Sequence, residues 1–278
     1  MTHPTTIIRS KWFKPTHTLV NIPEPCLIVI DEPRVFSDTL PTVFYQVEPT
    51  SIVNHEDYLI TNAHKYHTIF TYCERVLNNC RNAKKYVYGT SFIPRAIYDN
   101  IDISKKRYAI SHLAGSKNCN NSTGHLLRQE IHHNQHMFKT NCPITFTFYR
   151  SIAQIPHIKD YGNNPFIGHL AESKYELFES YQFAFVIENS RQINYFTEKL
   201  MDCLLTKTIP IYYGCPNISD YFDTSGWIII DSSDLNTIQT KLASLVPTYY
   251  ESYKDVIESN HTKAKQYVDL YTNLNNAV

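Results

Sequence analysis

Five polar side chains, Glu188, Asn189, Tyr195, Glu198 and Lys199, fall between two apolar runs in the segment FAFVIENSRQINYFTEKLMDCLLTKTIPIYYG, residues 183–214. The segment reads as strand, polar turn, helix and strand. In an open α/β sheet, ligands sit outside the carboxyl ends of the strands, where helices begin. A helix start carries free backbone N–H groups and partial positive charge, which suits a phosphate. Lys199 adds a full charge there, and a nearby Glu can accept hydrogen bonds from ribose hydroxyls. The cluster therefore points to a nucleotide or sugar-nucleotide site, against the plainer reading of one more buried βαβ unit.

Other residues carry weaker signals. Glu48 follows an apolar strand in VFYQVEPTSI, and Pro49 holds the chain extended or turning there. A carboxylate at a strand's end can serve as a general base, or it is an ordinary surface Glu. Arg128, on the helix after the polar loop Gly115–Thr123, and Arg150, at the end of the next strand, could each grip a diphosphate bidentately. For each, a solvated charge is the commoner role of such an Arg. His132 and His136 lie four apart, a spacing some zinc sites use, with His133 between them. No H-E-x-x-H glutamate accompanies them, so a His-rich helix surface is the preferred reading and no metal ligand is assigned. No D-x-D pair occurs for holding a metal–nucleotide complex. Only 7 glycines are present, and neither G-x-G-x-x-G nor G-x-x-x-x-G-K-[ST] is found. A diphosphate would have to be held by cations and a helix end, with no metal or other cofactor required.

The elements that position these residues alternate between strand-like and helix-like runs, the pattern of an α/β fold. Cys26–Ile30, Thr42–Tyr45, Tyr58–Thr61 and Thr68–Thr71 read as strands. A turn-rich patch at Ile93–Lys106 then precedes a new strand, Arg107–Leu113, and places a domain boundary near residue 103: residues 1–103 form one domain, 104–278 the other. A helix GHLLRQEIHHNQHMF, a strand Ile144–Arg150, the polar unit, a strand Trp227–Asp231 and a helical tail from about Leu235 complete the second.

The totals exclude several classes. Lys and Arg number 26 and Asp and Glu 26, so nothing marks an electrostatic nucleic-acid binder. No apolar run approaches the roughly 20 residues of a membrane helix, and the N-terminus lacks a signal peptide's apolar core. The 7 scattered cysteines, without C-x-x-C, suit reduced thiols and a cytoplasmic location. Sequons at Asn120, Asn121, Asn217 and Asn260 then read as chance matches.

The ordered pattern ENS-x4-YFTEKL-x8-IPIYYG resembles the signature of glycosyltransferase family 10, the α1,3-fucosyltransferases. The matching positions are Glu188, Asn189, Tyr195, Thr197, Glu198, Lys199, Pro210, Ile211 and Gly214. The resemblance implies a GT-B fold, two facing Rossmann-like domains with a cleft between them, and inversion at the anomeric carbon. It implies that Lys199 binds the donor diphosphate, Glu198 the donor's ribose or sugar, and that Asn189 and Tyr195 line the same pocket. It favours Arg128 over Arg150 as the diphosphate arginine. It also favours Glu48 as general base, because Phe44-Tyr45-Gln46-Val47-Glu48 fits the family's Phe-Tyr-x-x-Glu pattern.

The resemblance is to a short form expected to lack a membrane anchor, as in bacterial or large-DNA-virus members. The expected activity is transfer of a sugar from a GDP-fucose-like donor to a hydroxyl of an oligosaccharide or glycoprotein, in the host cytoplasm if the protein is viral. UDP-xylose or another UDP-sugar is the alternative donor. A glycan- or nucleotide-binding protein without turnover is the second alternative.

Overall fold

The computed structural model describes residues 6–8, 25–115, 122–150 and 174–277. Its first sheet contains β1 (Thr6–Ile8), β2 (Leu27–Ile30), β3 (Thr42–Tyr45), β4 (Thr68–Thr71) and β5 (Ala83–Lys85). The strands are parallel and lie in sequence order. Successive strand residues point to opposite faces. Leu27, Val29, Phe44 and Ile69 bury one face against Leu59 of α1 (Glu56–Thr61) and Val76 of α2 (Glu74–Asn79). Ile28, Val43, Tyr45 and Phe70 form the other face, and Tyr195, Leu274 and Ala277, from much later in the chain, close it.

Residues 86–106, including α3 (Arg95–Tyr98), lead to a second sheet. It is built from β6 (Arg107–Ala114), β7 (Thr145–Arg150), β8 (Tyr181–Ile187), β9 (Ile209–Tyr213) and β10 (Ile228–Ile229). All pairings are parallel, in the order β10-β9-β8-β6-β7. The helices that follow are α4 (Thr123–His133), α5 (Gln135–Asn141), α6 (Glu198–Leu205), α7 (Leu235–Ala243), α8 (Tyr249–Ser252), α9 (Lys254–Ala264) and α10 (Leu270–Asn275). Phe183, Ile209 and Ile211 bury one face with Leu127 of α4, Phe138 of α5 and Leu242 of α7. Ala184, Val186 and Tyr212 bury the other with Leu200 and Leu204 of α6 and Ala264 of α9. The sheet is thus covered on both faces, as its continuous apolar strands require.

Strand order reverses between β6 and β8. At such a switch point two crossovers leave on opposite faces, and a crevice opens at the strands' carboxyl ends. Leu113 and Gly115 stand at the end of β6, and Ile187 and Glu188 at the end of β8.

Several expectations are corrected. Tyr58–Thr61 is helix, not strand: its β-prone residues belong to α1, where Glu56 and Asp57 occupy the favourable first turn and Leu59 alone is buried. The histidine helix is broken, because α4 ends at His133, with Asn134 as its C-cap, and α5 starts at Gln135, so His132 and His136 share no helix face. The helix of the polar unit starts at Glu198, which leaves Tyr195 in the turn before it. The strand expected over Trp227–Asp231 shrinks to Ile228–Ile229. Part of the polar loop, residues 116–121, lies outside the described residues, with the sequons at Asn120 and Asn121. Of the other two sequons, Asn260 is buried and Asn217 is bonded to Asn194 and Asp220.

Candidate functional site

A cavity of about 150 Å³ opens at the switch point. Arg128, Lys174 and Lys199 line it together with Asp202, and Leu113, Phe178 and Phe185 supply apolar wall. Its lining thus offers three cationic side chains that an anion could contact, and the aromatic wall gives it a surface for a ring.

The cations are held by a frame of side chains behind them. Glu188 is fully buried, and its carboxylate accepts from Thr197 N–H at 2.8 Å and from Thr197 Oγ1 at 2.7 Å. Thr197 is the N-cap of α6 and accepts from Lys199 N–H. Glu188 therefore fixes the start of the helix, and it faces Lys199 Nζ at 3.7 Å. Burial pushes its carboxyl up, against the pull of Lys199. Glu198 lies 3.2 Å from Lys199 Nζ and 3.5 Å from Lys174 Nζ. Burial opposes its charge, but the two lysines prevail and hold the carboxyl down at about 2. Lys199 is correspondingly raised, with Glu198 and Glu188 outweighing its own burial.

Arg128 donates to the Ile187 carbonyl and, at 3.0 Å, to Asn189 Oδ1. Asn189 therefore orients Arg128 and does not itself line the cavity. Its carbonyl accepts from Gly124 N–H at 3.1 Å and from Ser122 Oγ, joining the start of α4 to the end of β8. This close approach needs glycine: a Cβ on Gly124 would stand 1.7 Å from the Glu188 carbonyl oxygen. Gly214, after β9, meets the same demand, since its Cβ would fall 2.7 Å from Glu188 Cγ.

Tyr195 is 1% exposed and does not line the cavity. Its ring lies against Tyr72 of the first sheet, centroids 5.2 Å apart, so it belongs to the seam between the two sheets. Burial raises its hydroxyl, and the charges of Glu188, Glu48 and Glu198 raise it further. One ring thus stands between the first sheet's carboxylate and the second sheet's cluster. Gln192 and Thr50 exchange hydrogen bonds across the same seam at 3.2 and 3.3 Å.

Glu48 follows β3 at this seam. Its backbone N–H and that of Val47 donate to the two carboxylate oxygens of Asp31, each at 2.9 Å, and its carbonyl accepts from Tyr72 at 2.8 Å. Asp31 has the left-handed φ of 50° at the end of β2. Burial lifts its carboxyl to about 7 against the two N–H donors, and the Glu48 charge adds to the lift. Two carboxylates therefore lie close together at the ends of β2 and β3, and the Glu48 charge reaches Tyr195 at the seam.

Arg150 ends β7, an edge strand, and is absent from the cavity wall; its charge acts on His132. It lies in register with Ala114 of β6 and is not one of the three cations lining this cavity. His132 is buried beside His112 and Phe148, and burial lowers it to about 4. His136 is exposed on the next helix. Among the described residues no group of three His, Cys, Asp or Glu could hold a metal ion.

The sequence reading missed Lys174, Asp202 and Asp31. Asp31 carried a usable signal, since it directly follows the LIVI strand as Glu48 follows its own. Asp202 is a lone carboxylate in the apolar run LMDCLL, three residues after Lys199. Lys174, in a short helical turn at Lys174–Leu177, had none.

Solved structures place this fold among the GT-B glycosyltransferases. S. aureus TarM, crystallised with UDP, matches with a TM-score of 0.53 at 13% identity, over 87% of this chain and 52% of its own. A trehalose 6-phosphate synthase from Burkholderia multivorans matches with a TM-score of 0.55 at 11% identity, over 90% of this chain and 70% of its own. The chain belongs to glycosyltransferase family 10, whose fucosyltransferase C-terminal profile matches residues 134–272. It is 26% identical over 121 residues to the α-(1,3)-fucosyltransferase FucT of Helicobacter pylori, a stretch spanning 43% of this chain and 25% of that relative. No helix among the described residues is long and apolar enough to cross a membrane.

Proposed function

We propose that the protein transfers a sugar, with inversion, from a nucleoside-diphosphate donor to a glycan hydroxyl. The observation that carries this reading is the cavity at the switch point, with Arg128, Lys174 and Lys199 around it and the start of α6 beside it. Arg128 and Lys199 would bind the diphosphate and take up the charge that builds on it as the glycosidic bond breaks. Glu198, fixed between two lysines, would stay ionised and accept from a donor hydroxyl. Glu188, Asn189 and Tyr195 would act by positioning. With three cations present, no metal ion would be needed.

Glu48 would remove the proton from the acceptor hydroxyl, whose oxygen attacks the anomeric carbon from the face opposite the nucleotide. Its backbone clamp by Asp31 supports this role, because a base must be held still to be effective. Membership of the fucosyltransferase family favours GDP-fucose, with UDP-xylose the alternative donor, and an oligosaccharide or glycoprotein as acceptor. Cys73, Cys80, Cys142, Cys203 and Cys215 are free thiols, which suits a reducing cytoplasm.

The reading is tested by incubating the protein with GDP-fucose or UDP-xylose and a panel of oligosaccharides in EDTA. Product with inverted anomeric configuration supports it. Nucleotide binding without turnover on any acceptor would leave a binding protein on the same scaffold.

A further inference from the structure

One oxygen in the cavity is left over. Asp202 is 1% exposed and lies on α6 one turn beyond Lys199. Its Oδ1 accepts from Ser91 Oγ at 2.7 Å and from the Phe92 N–H at 2.9 Å, both on the segment joining the two sheets. Its Oδ2 is buried, and among the described residues nothing donates to it. A buried carboxylate oxygen without a donor is costly, by about 1–3 kcal/mol or more. Such orphans are rare in folded proteins and call for a reason.

The surroundings supply one. Asp202 is one of the residues of the cavity wall, so a group seated in that space lies next to its carboxylate. Neither lysine nearby donates to it: Lys199 and Lys174 both pair with Glu198, and Lys174 also lies over the Phe92 ring, 4.1 Å from its centroid. The joining segment thus holds Asp202 by one oxygen and presents the other.

We propose that Asp202 reads the donor, its Oδ2 accepting a hydrogen bond from a hydroxyl or ring N–H of a nucleoside-diphosphate sugar seated in the cavity. This inference rests on the donor-site reading above and adds a recognition residue to it. A diphosphate satisfies the cations but has no hydrogen to give Asp202, so the partner must be the nucleoside or the sugar. The geometry selects an O–H or N–H donor and rejects a second anion. Burial raises the carboxyl to about 6, against the charge of Lys174, so at neutral pH the group is an ionised acceptor.

The substitution Asp202→Asn reverses the polarity of that one atom. Its oxygen can keep the bonds to Ser91 and Phe92, which are both donors, and an N–H₂ then replaces the acceptor in the cavity. Binding of GDP, UDP, GDP-fucose and UDP-xylose is measured by calorimetry for the wild type and the variant. Loss of a hydrogen bond to a charged group predicts an affinity about ten- to a hundred-fold lower. If the nucleotide and its sugar both weaken, Asp202 reads the nucleoside; if the sugar nucleotide alone weakens, it reads the sugar. Unchanged affinity for every probe the wild type binds overturns the inference and leaves the donor site standing. Failure of the wild type to bind any probe removes the donor site itself, and this inference with it. Ser91→Ala cuts the joining segment's side-chain bond and leaves Oδ2 in place, so affinity should hold. An equal loss there would mean that Asp202 acts through the segment and not on the ligand. Should Asp202→Asn fail to fold, Asp202→Ser, which shortens the reach of the acceptor, is measured against the same expectation.

Discussion

Glu48 and Lys199 carry separate parts of the proposed chemistry and should fail separately. A positioned general base contributes about 10²–10⁴ in rate. Glu48→Gln should therefore lower transfer by about that factor while nucleotide affinity stays at the wild-type value, as read by radiolabelled transfer and calorimetry side by side. Transfer that survives would place the base elsewhere, with Asp31 the next residue to change. Asp31 also gives a pH signature. Its folded value, about 7, lies above the ordinary 3.8 of an unfolded aspartate. The folded chain therefore holds this proton where the unfolded chain has lost it. The stabilisation is complete below about 4 and disappears as pH rises through 7. Asp31→Asn carries no such proton, so the Tm of the variant relative to the wild type should be higher at pH 8 than at pH 5. A difference that does not change with pH would contradict the assigned ionisation.

The elements meet at the carboxyl end of β8, where Glu188 caps α6 through Thr197 and Asn189 receives α4 through Gly124. Gly124→Ala would push a methyl carbon into the Glu188 carbonyl, a backbone atom that cannot swing aside. Overpacking of this kind costs about 1–3 kcal/mol, so Tm should drop by several degrees and nucleotide affinity should fall with it, since both helices shift. Tm within a degree of wild type would mean that the two helix starts are not locked together. Much of this junction was legible in the sequence, because apolar run, polar turn and helix stood in order and each short-range rule applied. What was not legible came from distant partners. Tyr58–Thr61 has strand-forming residues, yet it packs as a helix through Leu59 alone. The cavity-facing roles assigned to Glu188, Asn189 and Tyr195 were natural for exposed polar groups, but the fold turns all three inward, to Thr197, Arg128 and Tyr72.

At the scale of the whole molecule, two parallel sheets meet through a tyrosine seam, and each brings its own chemistry to it. The first contributes the Asp31–Glu48 pair, the second the cations and the helix start. Alternating elements and the turn-rich patch before residue 107 made the two sheets readable in advance. The return of α10 to the first sheet did not show, because only the packing of Leu274 and Ala277 on Ile28 and Val43 reveals which sheet it joins. The central claim is that the switch-point cavity of the second sheet is the nucleotide-sugar site. It is tested most directly by titrating wild type and Lys199→Ala with GDP and UDP by calorimetry in EDTA. The account predicts metal-free binding of one nucleotide to the wild type, weakened at least about ten-fold in the variant, as loss of a charge-assisted contact requires. Binding of neither nucleotide, or equal binding to both proteins, would contradict it.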